Sequence, residues 1–132
     1  MISQLNKLLG VLVSERGSDL HITCGAPPYI RIDGELVPLR TPALSAKDCR
    51  LLCTSALNET QSKTFEQDRE IDLSIAVDGL GRFRVNLFVQ SGSVAGVFRA
   101  IPSVLPRLET LGLPQSVVDL TGLKRGLVLV TG

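Results

Sequence analysis

The stretch from Arg82 to Ile101, RFRVNLFVQSGSVAGVFRAI, predicts an antiparallel β-hairpin. Apolar and polar residues alternate on both sides of Ser91-Gly92, the pattern of two strands that share one buried face. If Ser91-Gly92 is a two-residue turn, Val85 lies opposite Phe98 on the apolar face. A slip of two residues would fit the same alternation, so the pattern favours this register without excluding that one.

The polar face of this hairpin gathers three arginines. The favoured register sets Arg84 directly opposite Arg99, with Arg82 diagonal to Arg99. Like charges that face each other across two strands are destabilising, so the arginines need a counter-charge. Two sources stay open: a carboxylate of the preceding strand (Asp72 or Asp78), or a bound anion such as a polyphosphate, which suits the planar guanidinium.

The residues before the hairpin predict an α+β domain. Helical periodicity predicts helices over 3–16, 45–57 and 59–69, and alternation predicts strands in SDLHITC, around Asp33-Gly34 and in IDLSIAV. We expect Leu51, Leu52 and Ala56 to be buried in the second helix and Phe65 in the third. A small antiparallel sheet packed against helices accounts for these elements.

Composition excludes several classes of protein. The chain has 132 residues and a net charge of +1, which is not the electrostatic pattern of a nucleic-acid binder. It contains no apolar run of transmembrane length and no signal-peptide pattern, so a cytoplasmic protein is expected. The three cysteines form no disulfide framework, and with a single histidine a zinc site or a histidine-based catalytic triad is disfavoured.

The last nine residues, KRGLVLVTG, have the character of a strand buried on both faces. An apolar, β-branched strand that leads into a glycine is how a phosphate-binding loop begins. The preceding residues contain Pro102, Pro106 and Pro114 and predict a linker with short helices. We therefore expect the final strand to belong to a different domain.

Five segments, in order, resemble the N-terminal part of a known family: SDLHITCGAPPYIRIDGEL, GRFRVNLFVQ, GVFRAIP, LETLGLP and KRGLVLVTG. The family is that of the type IV pilus retraction (twitching-motility) ATPases, PilT/PilU-like members of the type II/IV secretion ATPase superfamily. The resemblance covers essentially the whole chain. It implies a PAS-like α+β domain over residues 1–101, a linker over 102–125, and the first strand of a RecA-like ATPase domain over 126–132.

The resemblance also implies a site. In this family, ATP lies between the two domains, and arginines of the N-terminal domain reach its phosphates; the matching residues are Arg82, Arg84 and Arg99. Thr131 and Gly132 match the end of the strand and the first residue of the Walker A motif. The rest of that motif and the magnesium ligands are missing here, so these residues alone are expected neither to hydrolyse ATP nor to hold ATP or Mg²⁺.

For the full-length protein, the resemblance implies ATP and Mg²⁺ as cofactors and a homo-hexamer that drives pilus retraction. It further implies a place on the cytoplasmic side of the inner membrane at the pilus base, with the inner-membrane pilus platform protein as partner. Two alternatives stay open. One is a stand-alone PAS-like module whose arginine face docks an acidic partner, and the other is the N-terminal domain of a related secretion or pilus-assembly ATPase.

Overall fold

A computed structural model of the chain describes residues 4–131. Its elements, in chain order, are α1 (Gln4–Ser14), β1 (Asp19–Ile22), β2 (Tyr29–Ile32), β3 (Glu35–Pro38), α2 (Ala46–Thr54), α3 (Glu59–Asp68), β4 (Glu70–Val77), β5 (Gly81–Gln90), β6 (Ser93–Ile101), a 3₁₀ turn (Leu108–Thr110) and α4 (Gln115–Leu120). The predicted helix start at residue 3 and the prediction for Gly132 lie outside the described residues.

The six strands of residues 4–131 form one antiparallel sheet in the order β3-β2-β1-β6-β5-β4. Strands adjacent in sequence pair with each other except β3 and β4, which are the two edges, and β1 also pairs with β6. This long-range pairing joins the first three strands to the last three. The predicted α+β class with an antiparallel sheet is thereby confirmed.

Two tight hairpins set the registers of the sheet. Asp33 and Gly34 have φ values of 49° and 89°, and Ser91 and Gly92 have values of 50° and 77°. Positive φ at both central residues is the requirement of a type I′ turn, whose twist matches that of the flanking strands. The register predicted for the second hairpin is confirmed, with Arg84 opposite Arg99.

Helices α1, α2 and α3 pack against one face of the sheet and enclose a single core. Capping boxes begin α2 at Ser45 and α3 at Asn58. The fully buried apolar side chains that meet in the core are Leu5, Leu9, Leu12, Leu20, Ile22, Ile30, Cys49, Leu52, Cys53, Phe65, Phe83, Val85, Leu87, Val94 and Phe98. The predicted burial of Phe65 is confirmed, and two of the three cysteines serve as core residues.

One prediction for α2 was wrong. Leu51 is 60% exposed, whereas Cys49, Leu52 and Cys53 are buried. The buried positions follow i, i+3 and i+4 spacing along one side of the helix, and Leu51 lies about 100° away from its neighbour Leu52. The helix also ends at Thr54, three residues earlier than expected.

The residues that follow β6 are exposed almost throughout. The 3₁₀ turn and α4 match the predicted short helices, and neither contains a buried residue. Residues 126–131 belong to no helix or strand. A strand needs a neighbouring strand to receive its backbone hydrogen bonds, so the assignment of these residues to a further domain stays a prediction.

Candidate functional site

The side of the sheet that faces away from α1, α2 and α3 carries a row of paired charges, and we call it the open face. It bears Arg31 from β2, Asp19 from β1, Arg99 from β6, Arg84 from β5 and Asp72 from β4. Register brings the middle of the row together: Asp19 lies opposite both Arg31 and Arg99, and Arg99 lies opposite Arg84. Period-two alternation sends these side chains outward because their neighbours in sequence fill the core.

Arg99 is anchored by a buried carboxylate. Its Nε donates to Asp19 Oδ1 at 2.7 Å, Ser18 Oγ donates to Asp19 Oδ2 at 2.8 Å, and Arg31 Nε lies 3.7 Å from the same oxygen. The side chain of Asp19 is 3% exposed, whereas that of Arg99 is 66% exposed. Burial by itself raises the pKa of Asp19, but the hydrogen bonds from Arg99 and Ser18 outweigh it and leave the pKa below its ordinary value.

Arg84 is held in a different way, by a carboxylate in contact with water. Its Nε and Nη2 donate to the two oxygens of Asp72 at 3.1 and 2.7 Å, and both side chains are exposed. These hydrogen bonds lower the pKa of Asp72. Arg82 makes only a 3.5 Å contact with Ser74 Oγ. Exposed pairs of this kind are weak, so Arg84 and Arg82 can exchange partners readily.

A shallow concavity of about 310 Å³ lies on the open face between the two central arginines. It is lined by Arg84 and Arg99 together with Asp72, Asn86 and Val97. Within residues 4–131, the Nη atoms of Arg99 have no hydrogen-bond partner, so both point their donors to solvent. Two guanidinium groups beside an open space make this concavity suited to an anion.

Beside the charged row lies a groove of about 360 Å³ with an aromatic lining. Tyr29, Phe88 and Val97 line it along with His21, whose Nε2 is buried and has no hydrogen-bond partner. Burial, with help from nearby arginine charges, lowers the pKa of His21. The lowered pKa favours the neutral form of the imidazole.

The structure brings Arg84 and Arg99 together at the concavity and identifies their counter-charges, whereas Arg82 does not line the concavity. Of the two carboxylates proposed from sequence, Asp72 pairs with Arg84, whereas Asp78 forms no ion pair with the arginines of residues 4–131. Asp19 was missed as a partner. Its only signal was a polar position in a strand, and its contact with Arg99 depends on two strands 80 residues apart.

Two further predicted site residues stand at the end of the sequence. Thr131 is exposed and does not line the concavity, and Gly132 lies outside the described residues. No group of three or more metal-ligating side chains occurs within residues 4–131. Cys24 is exposed and the other two cysteines are buried, so the zinc interpretation gains no support from the described part of the chain.

No helix within residues 4–131 has the length and apolar character required to cross a bilayer.

No protein-family profile matches the sequence. The chain is 40% identical over 128 residues to the type IV pilus retraction ATPase PilT of Pseudomonas aeruginosa, covering 97% of the chain and 37% of that protein. It is 38% identical over 129 residues to the type IV pilus ATPase PilU of the same organism, and this match covers 98% of the chain and 34% of that protein.

A solved structure agrees with these relatives. The pilus retraction motor PilT, crystallised with bound ADP, superposes on the whole chain with a TM-score of 0.81 and 39% identity, and 38% of its length is covered. The chain thus spans little more than a third of the length of the proteins it matches. Its homologues are PilT/PilU-type twitching-motility ATPases, and the chain corresponds to about a third of such a protein, consistent with an N-terminal domain.

Proposed function

We propose that this chain is the nucleotide-contacting N-terminal domain of a motor ATPase that retracts type IV pili, and that its open-face arginines bind the phosphates of ATP. The observation that carries the proposal is Arg99, whose guanidinium is anchored through Nε with its Nη donors open to solvent beside Arg84. The relative crystallised with ADP supports nucleotide as the anion. Arginine donors suit phosphate oxygens in geometry as well as in charge.

The three arginines are unequal candidates. Arg99 offers two unpaired Nη groups, and Arg82 has only a marginal contact with Ser74. Arg84 has already committed two donors to Asp72, so an incoming phosphate must displace that carboxylate. We therefore rank Arg99 first and Arg84 second as phosphate ligands, and Arg82 third because it does not line the concavity.

The remaining parts of the proposed motor are inferred from the resemblance to the family. We propose residues 1–101 as the PAS-like domain, 102–125 as the linker, and 126–132 as the first strand of a RecA-like domain, with Thr131 and Gly132 opening the Walker A motif. ATP and Mg²⁺ would then be held between the two domains of a hexameric protein at the cytoplasmic face of the inner membrane, near the pilus platform protein. Hydrolysis requires a lysine, loop amides and magnesium ligands, which the RecA-like domain would supply.

The test is ATP turnover by the full-length protein with Arg99→Ala or Arg84→Ala. We expect both changes to lower turnover, with the larger loss in R99A, because positioned arginines stabilise charge on the transferring phosphoryl group. Arg50→Ala is the matched control, since Arg50 is also an exposed arginine paired with a carboxylate (Glu66) but lies on α2. Turnover that is unchanged in both R99A and R84A would remove the open face from the nucleotide site.

The gene beyond Gly132 provides an independent test. We expect the next residues to complete a Walker A sequence of the form G-x-x-x-x-G-K-[ST]. A stop codon directly after Gly132 would contradict the motor assignment and favour a stand-alone module whose arginine face binds an acidic partner.

A further inference from the structure

We propose that Asp19 is a positioning residue, which fixes the guanidinium of Arg99 in the orientation that receives an anion. This inference rests on the proposed function, because it explains how one phosphate ligand of the open face is prepared before the anion arrives. Asp19 would act through Arg99 and would not itself contact the anion.

The contacts of the buried carboxylate support this role. Asp19 lies in the row between Arg31 and Arg99 and accepts hydrogen bonds from Arg99 Nε and Ser18 Oγ. Arg99 projects from β6 into solvent with only its Nε tied down. Because the tether uses Nε, the Nη groups stay free of partners among residues 4–131, and Arg99 lines the concavity. A long side chain that would otherwise sample many rotamers is thereby ordered in advance.

Asp72 offers the opposite case on the same face. It takes Nε and Nη2 of Arg84 together, and both partners are exposed. This carboxylate occupies the edge of the guanidinium that an anion would use. Asp72 therefore competes with the anion, whereas Asp19 prepares the site for it. Asp72→Asn would therefore remove a competitor as well as a charge, and we expect it to strengthen anion binding.

Two effects of Asp19→Asn act in opposite directions. Loss of a negative charge strengthens the attraction between the open face and any anion. Loss of the tether weakens binding, because Arg99 must then become ordered when the anion binds. In R99A the same substitution shows the first effect alone, because Asp19 then has no Arg99 to hold. The ordering cost of one long side chain corresponds to about two- to twelvefold in affinity, so we expect Asp19→Asn to be less favourable for binding by that factor in the wild type than in R99A.

The first experiment observes the tether directly by NMR of the Arg Nε–Hε groups in this 132-residue chain. In the wild type, we expect the Hε of Arg99 to exchange with water more slowly than that of Arg82, which has only a marginal partner. In D19N, the Arg99 signal should lose its protection while that of Arg84 stays unchanged. Equal exchange of Arg99 and Arg82 in the wild type would overturn the inference without any substitution.

The second experiment measures binding of a non-hydrolysable ATP analogue to the full-length protein in the wild type, D19N, R99A and the double variant D19N/R99A. Weaker binding by R99A, with Asp19→Asn about two- to twelvefold less favourable in the wild type than in R99A, supports the inference. An equal effect of Asp19→Asn in both backgrounds would mean that Asp19 acts only as a charge, and would overturn the positioning role while the proposed function stands. Unchanged binding in R99A would instead reject Arg99 as a phosphate ligand, and the positioning role with it.

Discussion

Replacing Arg99 with alanine should lower the stability of this domain, although the removed side chain lies mostly in solvent. The reason is its partner: Asp19 is 3% exposed and receives its shortest hydrogen bond, 2.7 Å, from Arg99 Nε. The substitution leaves a buried carboxylate with one fewer donor. Arg84 is the matched position, since it lies directly opposite Arg99 and pairs with an exposed carboxylate.

The magnitude follows from what remains around Asp19. Breaking a fully buried ion pair costs about 3–5 kcal/mol. Here Ser18 Oγ still donates at 2.8 Å and Arg31 stays 3.7 Å away, and removal of the exposed Arg99 side chain admits water. We therefore expect a loss of stability of about 1–2 kcal/mol, since the remaining contacts partly compensate the carboxylate. For a domain of this size the loss corresponds to a Tm lower by about 4–8 °C.

The assay is thermal unfolding of the wild type, R99A and R84A between pH 7 and pH 3. The pKa of Asp19 is lowered in the folded state, so the stability from its ionised form is present above its ordinary pKa and is lost as the pH falls through the folded-state value. The difference between wild type and R99A should therefore be full at pH 7 and shrink below about pH 4. R84A should unfold at the same temperature as the wild type, because an exposed ion pair contributes little to stability.

Two results would refute this reasoning. Equal Tm values for R99A and R84A at pH 7 would mean that the buried carboxylate does not depend on Arg99. A difference between wild type and R99A that is independent of pH would assign the loss to packing of the arginine stem and not to charge.

Two further changes test the packing of the sheet and the buried imidazole. Gly96→Ala should destabilise by about 1–3 kcal/mol in urea unfolding, because the added Cβ would lie 2.7 Å from Leu87 Cδ2 and 2.9 Å from Cys53 Sγ. Adding Cys53→Ala should recover part of that loss, and strictly additive losses would contradict the contact. Burial lowers the pKa of His21 in the folded state, so the unfolded state takes up a proton at a higher pH than the folded state does. Wild-type stability should therefore decline as the pH falls from 7 to 5. The decline should be smaller in His21→Gln, and identical pH slopes would show that another group causes it.

Local patterns predicted much of the fold because they act over short distances. Asp33-Gly34 favours positive φ at two successive residues and Ser91-Gly92 adopts it, and each turn sets a hairpin register within a few residues. Alternation in β5 and β6 then decided which side chains face the core, which is why the opposition of Arg84 and Arg99 was predicted correctly. In α2 the same approach misplaced Leu51, since a short helix with mixed polarity defines its apolar side poorly.

The counter-charges show where sequence was insufficient. Asp72 was anticipated because β4 immediately precedes β5 and pairs with it. Asp19 was not, because alternation says which face a residue occupies but not which distant strand will lie beside its own. Sequence alone therefore determined the hairpins, the two faces of the strands and the resemblance to a family. Only the tertiary structure decided that β1 pairs with β6, and with it that a buried carboxylate anchors Arg99, because that contact joins residues 80 positions apart whose proximity depends on the closure of the whole sheet.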